Sequence, residues 1–435
     1  MSKRGLVLTV ILALFTLSAH AQGKEGSKPD NGPLSHSANR VVYIESNIGD
    51  TPNHNSILAF RRDNAGHLTP LGEFLTGGTG VHPIESTIPT LPTTLGPLDS
   101  DQDLILSADG KMLFAVNSGS DTIAVFKVNN DGSLVPVSGS PFPSGGVMPV
   151  SLGLADNDNI LTVVNKDYDL TRPGFNVAQR APNYTTFRVN PQGKLIPVPH
   201  STIVAAQGGV IGPGAVNPSQ ALVSPDGRLV FDADIFGFTL HSFVVRPNGR
   251  LERAASHTLP ASEFIPHPLV PIPQGLPVPL GLTLHPHAQV FYAGMVLEGK
   301  VAVLSYDANG QFQFVRSVDA GAGVCWIAIN QAGNRLYTSN TLANSITVMD
   351  TTNPLNPVKI QEFPLSGPPA GCFQLGLDSR GEYLYVISQK ALDFFPPDAN
   401  ALHVLRLAGD GTIATQTDRV VIPVFPSAPQ GIIAN

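Results

Sequence analysis

From Leu104 to Gly139 the chain reads LILS-ADG-KMLFAVN-SGSD-TIAVFKV-NNDG-SLVPVSG. The stretches KMLFAVN and TIAVFKV are rich in Val, Ile and Phe, are about as long as strands usually are, and are bounded by turns of Asp, Asn, Ser and Gly. The unit is a strand, a Gly-containing turn, a second strand ending on a polar residue, a third strand, another Gly-containing turn and a fourth strand.

Outward from this copy the pattern recurs along the whole chain. LTVVN pairs with NYTTFRVNPQGKLIPV, ALVSPDGRLVFDAD with HSFVVRPNGRLERA, and LTLHPHAQVFYAG with VAVLSYDANGQFQFV. IAINQAGNRLYTSN then pairs with SITVMD, and LGLDSRGEYLYVIS with ALHVLRLAGDGTIAT. The seventh copy is split: VVYIESN from Val41 supplies a second strand, and Pro429-Gln430-Gly431-Ile432-Ile433 an orphan first strand. Seven copies over residues 41–435 average about 56 residues, which suits a four-stranded antiparallel blade plus a long loop. One blade cannot bury both faces, so the pattern predicts an all-β, seven-bladed β-propeller closed by pairing of the terminal strands. Two separate β-domains are the alternative, and the split copy argues against them.

Composition narrows the function. With 26 Lys and Arg against 33 Asp and Glu, the net charge of −7 offers no basic field for a polyanion, so no nucleic acid is expected as partner. The 42 Gly and 39 Pro suit many tight turns, and 42% hydrophobic residues exclude disorder. Lys3 and Arg4 precede the apolar run 5–17, and Ala19-His20-Ala21 has the small-x-small cleavage pattern, so residues 1–21 read as a secretory signal peptide. The run is shorter than the roughly 20 residues a membrane span needs. Residues 22–39 read as a flexible leader and 40–435 as the propeller. A monomer, secreted or periplasmic and with no span after cleavage, is expected.

Label the strands of a blade first to fourth, from the channel outward. The first-to-second and third-to-fourth turns are short, as at Asp109-Gly110, Asp226-Gly227, Asp131-Gly132 and Asn309-Gly310. The insertions 48–55, 76–103, 166–182, 205–220, 259–279 and 390–400 all fall in second-to-third loops or in links between blades, which emerge on the opposite face. That face, at the mouth of the central channel, is the expected site.

The insertion NKDYDLTRPGFNVAQRAP brings Lys166, Asp167, Tyr168, Asp169, Arg172 and Arg180 to this mouth. Arg can fork to a carboxylate and Tyr can pack a ring, so the cluster suits a carboxylated or hydroxylated small molecule. Asp232 and Asp234 break the strand-end pattern in LVFDAD, and Asp232 is a candidate general base beside Asp167 and Arg172. Lys166, Tyr168, Asp234, Glu263 and His267 are candidate ligand contacts. Asp99, Asp101 and Asp103 alternate and are candidate Ca²⁺ ligands, although Leu104 and Gly110 stand where an EF-hand needs Gly and Glu. Cys325 and Cys372 start the first strands of successive blades, where a disulfide is compatible with export; a pair of buried free thiols is the alternative.

The runs LILSADGKMLFAVNSGSDTIAVFKVNNDGSL, CWIAINQAGNRLYTSN and ALVSPDGRLVF resemble the lactonase-like seven-bladed propellers, among them 6-phosphogluconolactonase and the carboxymuconate cyclases. The resemblance implies a lactone hydrolase or cycloisomerase-like activity, here on an exported branch. In the phosphogluconolactonase-like members a His and an Arg-His pair sit on first strands, and the matching positions here are Ser219, Leu280 and Gly281. Their loss makes 6-phosphogluconolactone an unexpected substrate. Two readings follow: an enzyme acting on another small lactone or sugar acid, or a non-enzymatic propeller that binds a small ligand or an exported protein.

Overall fold

The computed structural model describes residues 40–81, 84–85, 94–95, 102–169, 172–205, 216–235, 237–263, 278–368, 370–390, 396–424 and 426–435. The signal and leader segments, Asp99, Asp101 and His267 lie outside them.

Seven antiparallel sheets follow in chain order. Blade 1 is the split copy: Gln430–Ala434 is innermost, followed by Val41–Glu45, Ser56–Arg62 and Leu68–Leu75. The innermost strands of blades 2 to 7 are Leu104–Leu106, Pro149–Ala155, Leu222–Val223, Pro279–Leu284, Val324–Ile329 and Gly371–Leu377. Each packs against the innermost strand of the next blade, through blade 7 and back to blade 1, so the ring is closed. Tyr43 pairs with Ile433 and Ile44 with Ile432, the expected closure. Blades 2 and 3 differ in their outer edge, which two short strands share: Leu134–Pro136 with Phe142–Pro143, and Leu195–Pro197 with Ile203–Val204. Prolines break these edges because they cannot donate to a ladder. Among the described residues no helix is long and apolar enough to cross a membrane.

The buried apolar side chains of the described residues form eight clusters, and seven of them each fill one seam between neighbouring blades. Alternating residues of each strand therefore face two different seams, which is why nearly every position of a strand such as Tyr383–Gln389 is buried. The closing seam, between blades 7 and 1, also holds a buried ion pair. Arg62 Nη2 donates to Asp378 at 3.0 Å, its Nε donates to the Tyr385 hydroxyl at 2.6 Å, and its guanidinium lies 3.6 Å from the Tyr383 ring centre. Replacing Arg62 by Ala leaves Asp378 charged and buried, so a loss of about 3–5 kcal/mol is expected in denaturant melts. A midpoint equal to wild type would show that this latch does not hold the ring.

Candidate functional site

The short turns and the long loops segregate to opposite ends, as the antiparallel order requires. Each innermost strand starts at the long-loop end, and its first residues ring the channel mouth there. Two hydrogen bonds show that these residues meet across the channel. Gln374 of blade 7 reaches Asp103 of blade 2 at 3.5 Å with blade 1 between them, and Gln220 of blade 4 reaches Gln102 at 3.4 Å with blade 3 between them. Side chains of blades two apart in a ring touch only through its centre. Gln220 also exchanges hydrogen bonds with both backbone groups of Leu282 in blade 5, at 2.7 and 3.0 Å. One arc of the mouth is therefore a belt of amides and a carboxyl.

Asp103 is the focus of that arc. It is fully buried, and its Oδ1 has no hydrogen-bond partner among the described residues. Burial pushes its carboxyl up to about 8, against the opposing pull of its own backbone N–H and the Lys166 ammonium. Gln430, beside Gly431, is equally buried, with neither amide atom partnered among the described residues. A Cβ on Gly431 would lie 3.1 Å from that of Asp103, so the two strands meet closely here, and the φ of +70° at Gly431 also favours glycine. Glu45, opposite Gln430 in blade 1, accepts from Asn55 at 2.6 Å, while its second oxygen is unpartnered. Burial, and then Asp103, hold the Glu45 carboxyl well above the usual range. Polar atoms buried without partners are costly, and their gathering at one channel end marks a place built for a polar guest.

The other arc is apolar. Ile235, Phe238, Val278, Leu280, Cys325, Trp326 and Phe373 form the eighth cluster, with Val296 and Leu297 against it. Trp326 covers Gly281: a Cβ there would lie 2.8 Å from the Trp326 Cα and 2.7 Å from the Cys325 carbonyl oxygen. Because both obstacles are backbone, Gly281→Ala is expected to lose about 1–3 kcal/mol in thermal melts. An unchanged melting temperature would show that the strands move apart freely. Glu298, in the second-to-third turn of blade 5 after Leu297, is buried with both carboxyl oxygens unpartnered among the described residues, and burial pushes it up to about 7.

The other sequence candidates are placed as follows. Asp232 is buried and accepts from the backbone N–H groups of Ser219 and Gln220 and from the Tyr184 hydroxyl, so it joins blade 3 to the first strand of blade 4. Burial raises its carboxyl. Asp234 accepts from the N–H groups of Asn217 and Gly237. Asp167 caps the Ala181 N–H, and Arg172 forks onto Asp121 with both contacts at 2.7 Å. Asp169, Arg172 and Pro173 line a pocket of about 330 Å³ with Gly49, Gly80 and Gly119, at the rim of blades 1 and 2. Arg180 stacks over Tyr168 and donates to the carbonyls of Lys166, Asp167 and Val216 and to the Asn217 side chain. Glu263 accepts from Ser317 on the outermost strand of blade 5, away from the channel. Asp167, Arg172 and Asp232 each have their own hydrogen-bond partners; Arg172 also pairs with Asp169 at 3.7 Å and feels the charge of Asp167, and Asp103 feels that of Lys166. No group of three or more His, Cys, Asp or Glu among the described residues is arranged to hold a metal. Cys325 and Cys372 are both buried and form no disulfide, so the expected bridge between them is not made; burial, and then Cys325, push the Cys372 thiol up, and its Sγ lies 3.4 Å from the Ser345 carbonyl.

Gln220, Gln374, Gln430, Glu45 and Glu298 were missed because none breaks the repeat or sits in a charged insertion, and Gln102 because it is the uncharged member of the acidic run between Asp101 and Asp103. A larger cleft of about 820 Å³ lies on the short-turn face between blades 6 and 7. Asp378 and Asp410 in its lining are tied to Arg62 and to Thr412, while Arg335, which also lines it, pairs with Asp350 at 3.3 Å and has its Nε without a hydrogen-bond partner among the described residues.

The family model described as a seven-bladed β-propeller lactonase matches residues 82–206 and 279–394, more than half of the chain. The chain belongs to the seven-bladed β-propeller lactonases. No protein of curated function matches it. Among solved structures, a candidate 6-phosphogluconolactonase from Bacteroides fragilis is similar at 17% identity and a TM-score of 0.64, over 93% of this chain and 100% of that one. A periplasmic gluconolactonase from Pseudomonas aeruginosa is similar at 16% identity and a TM-score of 0.63, over 90% of this chain and 98% of that one. At such identities the structures testify to the fold. At the positions where the resemblance implied a His and an Arg-His pair, Ser219 donates its hydroxyl to the Ala233 carbonyl, Leu280 joins the apolar cluster, and Gly281 lies under Trp326.

Proposed function

We propose that this lactonase-family propeller hydrolyses a small, unphosphorylated lactone or sugar-acid-type lactone at the long-loop mouth of its channel. The observation that carries the reading is the buried, unpartnered Asp103 Oδ1 at the crossing of the amide belt. As carboxylate, Asp103 takes a proton from a water attacking the lactone carbonyl carbon. The Lys166 ammonium and the belt amides stabilise the oxygen that becomes negative. Collapse breaks the ring C–O bond, and the Asp103 carboxyl returns its proton to the leaving ring oxygen, giving the hydroxy acid. Absence of phosphate from the substrate is supported by Arg172 and Arg180, whose guanidiniums are held by protein acceptors. Export through the N-terminal signal belongs to the same proposal and would place the site outside the cytoplasm.

Binding without hydrolysis is the second reading, favoured by the replacement of the family His and Arg at Ser219, Leu280 and Gly281. Titration of released acid over a panel of lactones separates the two. Turnover that Lys166→Met lowers about tenfold or more supports hydrolysis at this mouth. Turnover indifferent to Lys166 overturns the placement, and saturable binding with no turnover selects the second reading.

A further inference from the structure

Blade 4 carries a second constellation, on its outer strands. Its second, third and fourth strands are Leu229–Asp234, Thr239–Val245 and Leu251–Thr258. Asp232 pairs with His241, and His241 with Ser256, so the three stand in one row on one face of the sheet. Within that row the Ser256 hydroxyl lies 2.7 Å from His241 Nδ1. On the other side of the ring, His241 Nε2 lies 4.0 Å from Asp234 Oδ2, while Asp234 Oδ1 accepts from the Asn217 and Gly237 N–H groups. Backbone thus holds Asp234 by one oxygen and leaves the other beside the imidazole. Arg253, stacked 5.2 Å from the Phe243 ring centre, reaches both Ser256 Oγ and His241 Nδ1 with Nη1, each at 3.0 Å.

A guanidinium can only donate, so Arg253 makes His241 Nδ1 an acceptor and puts the ring proton on Nε2, toward Asp234. That tautomer leaves Nδ1 able to take the Ser256 proton. Exposure rises along the constellation: the Asp234 side chain is 4% exposed and that of His241 12%, while Ser256 and Arg253 are open to solvent. We infer that Ser256 is an activated nucleophile, the outer member of an esterase centre with His241 and Asp234 that takes carboxylic esters from solvent at the rim of blade 4. Ser256 Oγ bonds to the acyl carbon as His241 Nδ1 takes its proton; the ester C–O bond breaks, and Nδ1 returns the proton to the leaving alcohol oxygen. A water deprotonated by the same nitrogen then releases the acid and restores the Ser256 hydroxyl. Asp234, at ion-pair distance, stabilises the imidazolium as it forms, and the Arg253 guanidinium stands beside the ester carbonyl oxygen as it becomes negative.

The experiment incubates the intact protein with a fluorophosphonate, which phosphonylates activated serines, and maps the adduct by peptide mass. An adduct on Ser256 is expected, together with a burst of p-nitrophenol from p-nitrophenyl acetate. Ser256→Ala removes both, and His241→Gln slows the labelling by about 10²-fold or more. Ser256 is exposed, so its replacement leaves the core intact. Should His241→Gln fail to fold, the wild type decides: Ser256 is labelled in the native protein and is not labelled after unfolding in urea. A native protein with Ser256 unmodified, a labelling rate that His241→Gln leaves unchanged, or equal labelling of the unfolded chain overturns the inference and reduces the Ser256–His241 contact to a surface hydrogen bond.

Discussion

Asp103→Asn is expected to lower kcat for lactone hydrolysis by about 10²–10⁴-fold, the usual worth of a positioned acid–base group. Asn keeps the shape and a hydrogen bond to Gln374 but cannot accept the proton of the attacking water. The pH profile carries more information than the rate. The base form of Asp103 exists above its raised value, so wild-type kcat, corrected for spontaneous hydrolysis, should rise through about pH 8 and then level. In Asp103→Asn that step should vanish. A step near 7, where Glu298 titrates, is unaffected by the substitution.

Stability should change in the opposite sense. The folded protein holds the Asp103 proton up to about 8, whereas the unfolded chain releases it near the ordinary aspartate value of 3.8. The unfolded state therefore binds fewer protons between these limits, and wild-type stability falls as pH rises through them, by at most about 1.4 kcal/mol per pH unit. Asp103→Asn has no such proton to lose on unfolding, so the variant should gain on wild type steadily from about pH 4 to about pH 8 in urea melts. Parallel curves for the two proteins would mean that Asp103 is not held neutral by burial, and the acid–base role would lose its basis.

Removing residues 430–435 is expected to abolish the cooperative melt altogether. This strand is the innermost of blade 1, pairs with Val42, Tyr43, Ile44 and Glu45, and puts Ile432 into the closing seam. Its loss uncovers Ile44 and Tyr43, leaves an unpaired edge facing the channel and opens the contact between blades 7 and 2. Burying one large apolar side chain is worth about 1.5–3 kcal/mol, and two isoleucines plus their ladder approach the whole stability of a typical domain, about 5–15 kcal/mol. Near-ultraviolet dichroism and a thermal scan test this. A truncated chain melting as sharply and as high as the intact one would show that the ring does not depend on its terminal strand.

Much of this architecture was legible in the residues. Asp109-Gly110 and Asn309-Gly310 mark turns whose glycines have φ of +68° and +78°, a local requirement that only turn chemistry meets cheaply. The strand-ending asparagines were legible as structure too. Asn117, Asn165 and Asn340 lie under Gly78, Gly146 and Gly321, where a Cβ would come within 2.5 Å of the amide. Their partners are largely side chains, such as Thr122, Thr185 and Ser345. The loop candidates illustrate why charge in an insertion is a poor guide to chemistry. Arg172 and Asp167 are charged because a long loop needs internal ties, and Asp121 and the Ala181 N–H supply the other halves.

Blade number, ring closure and the segregation of long loops to one end were set by the sequence alone, because strand period, turn residues and the split repeat act over a few tens of residues. Which side chains share the channel mouth was decided only in the tertiary structure. Gln374 and Asp103 are 271 residues apart, and Gln220 and Gln102 are 118 apart. Each is an ordinary residue at the start of an ordinary strand. Closing seven strands around one axis is what turns those starting residues into a single half-polar, half-apolar surface.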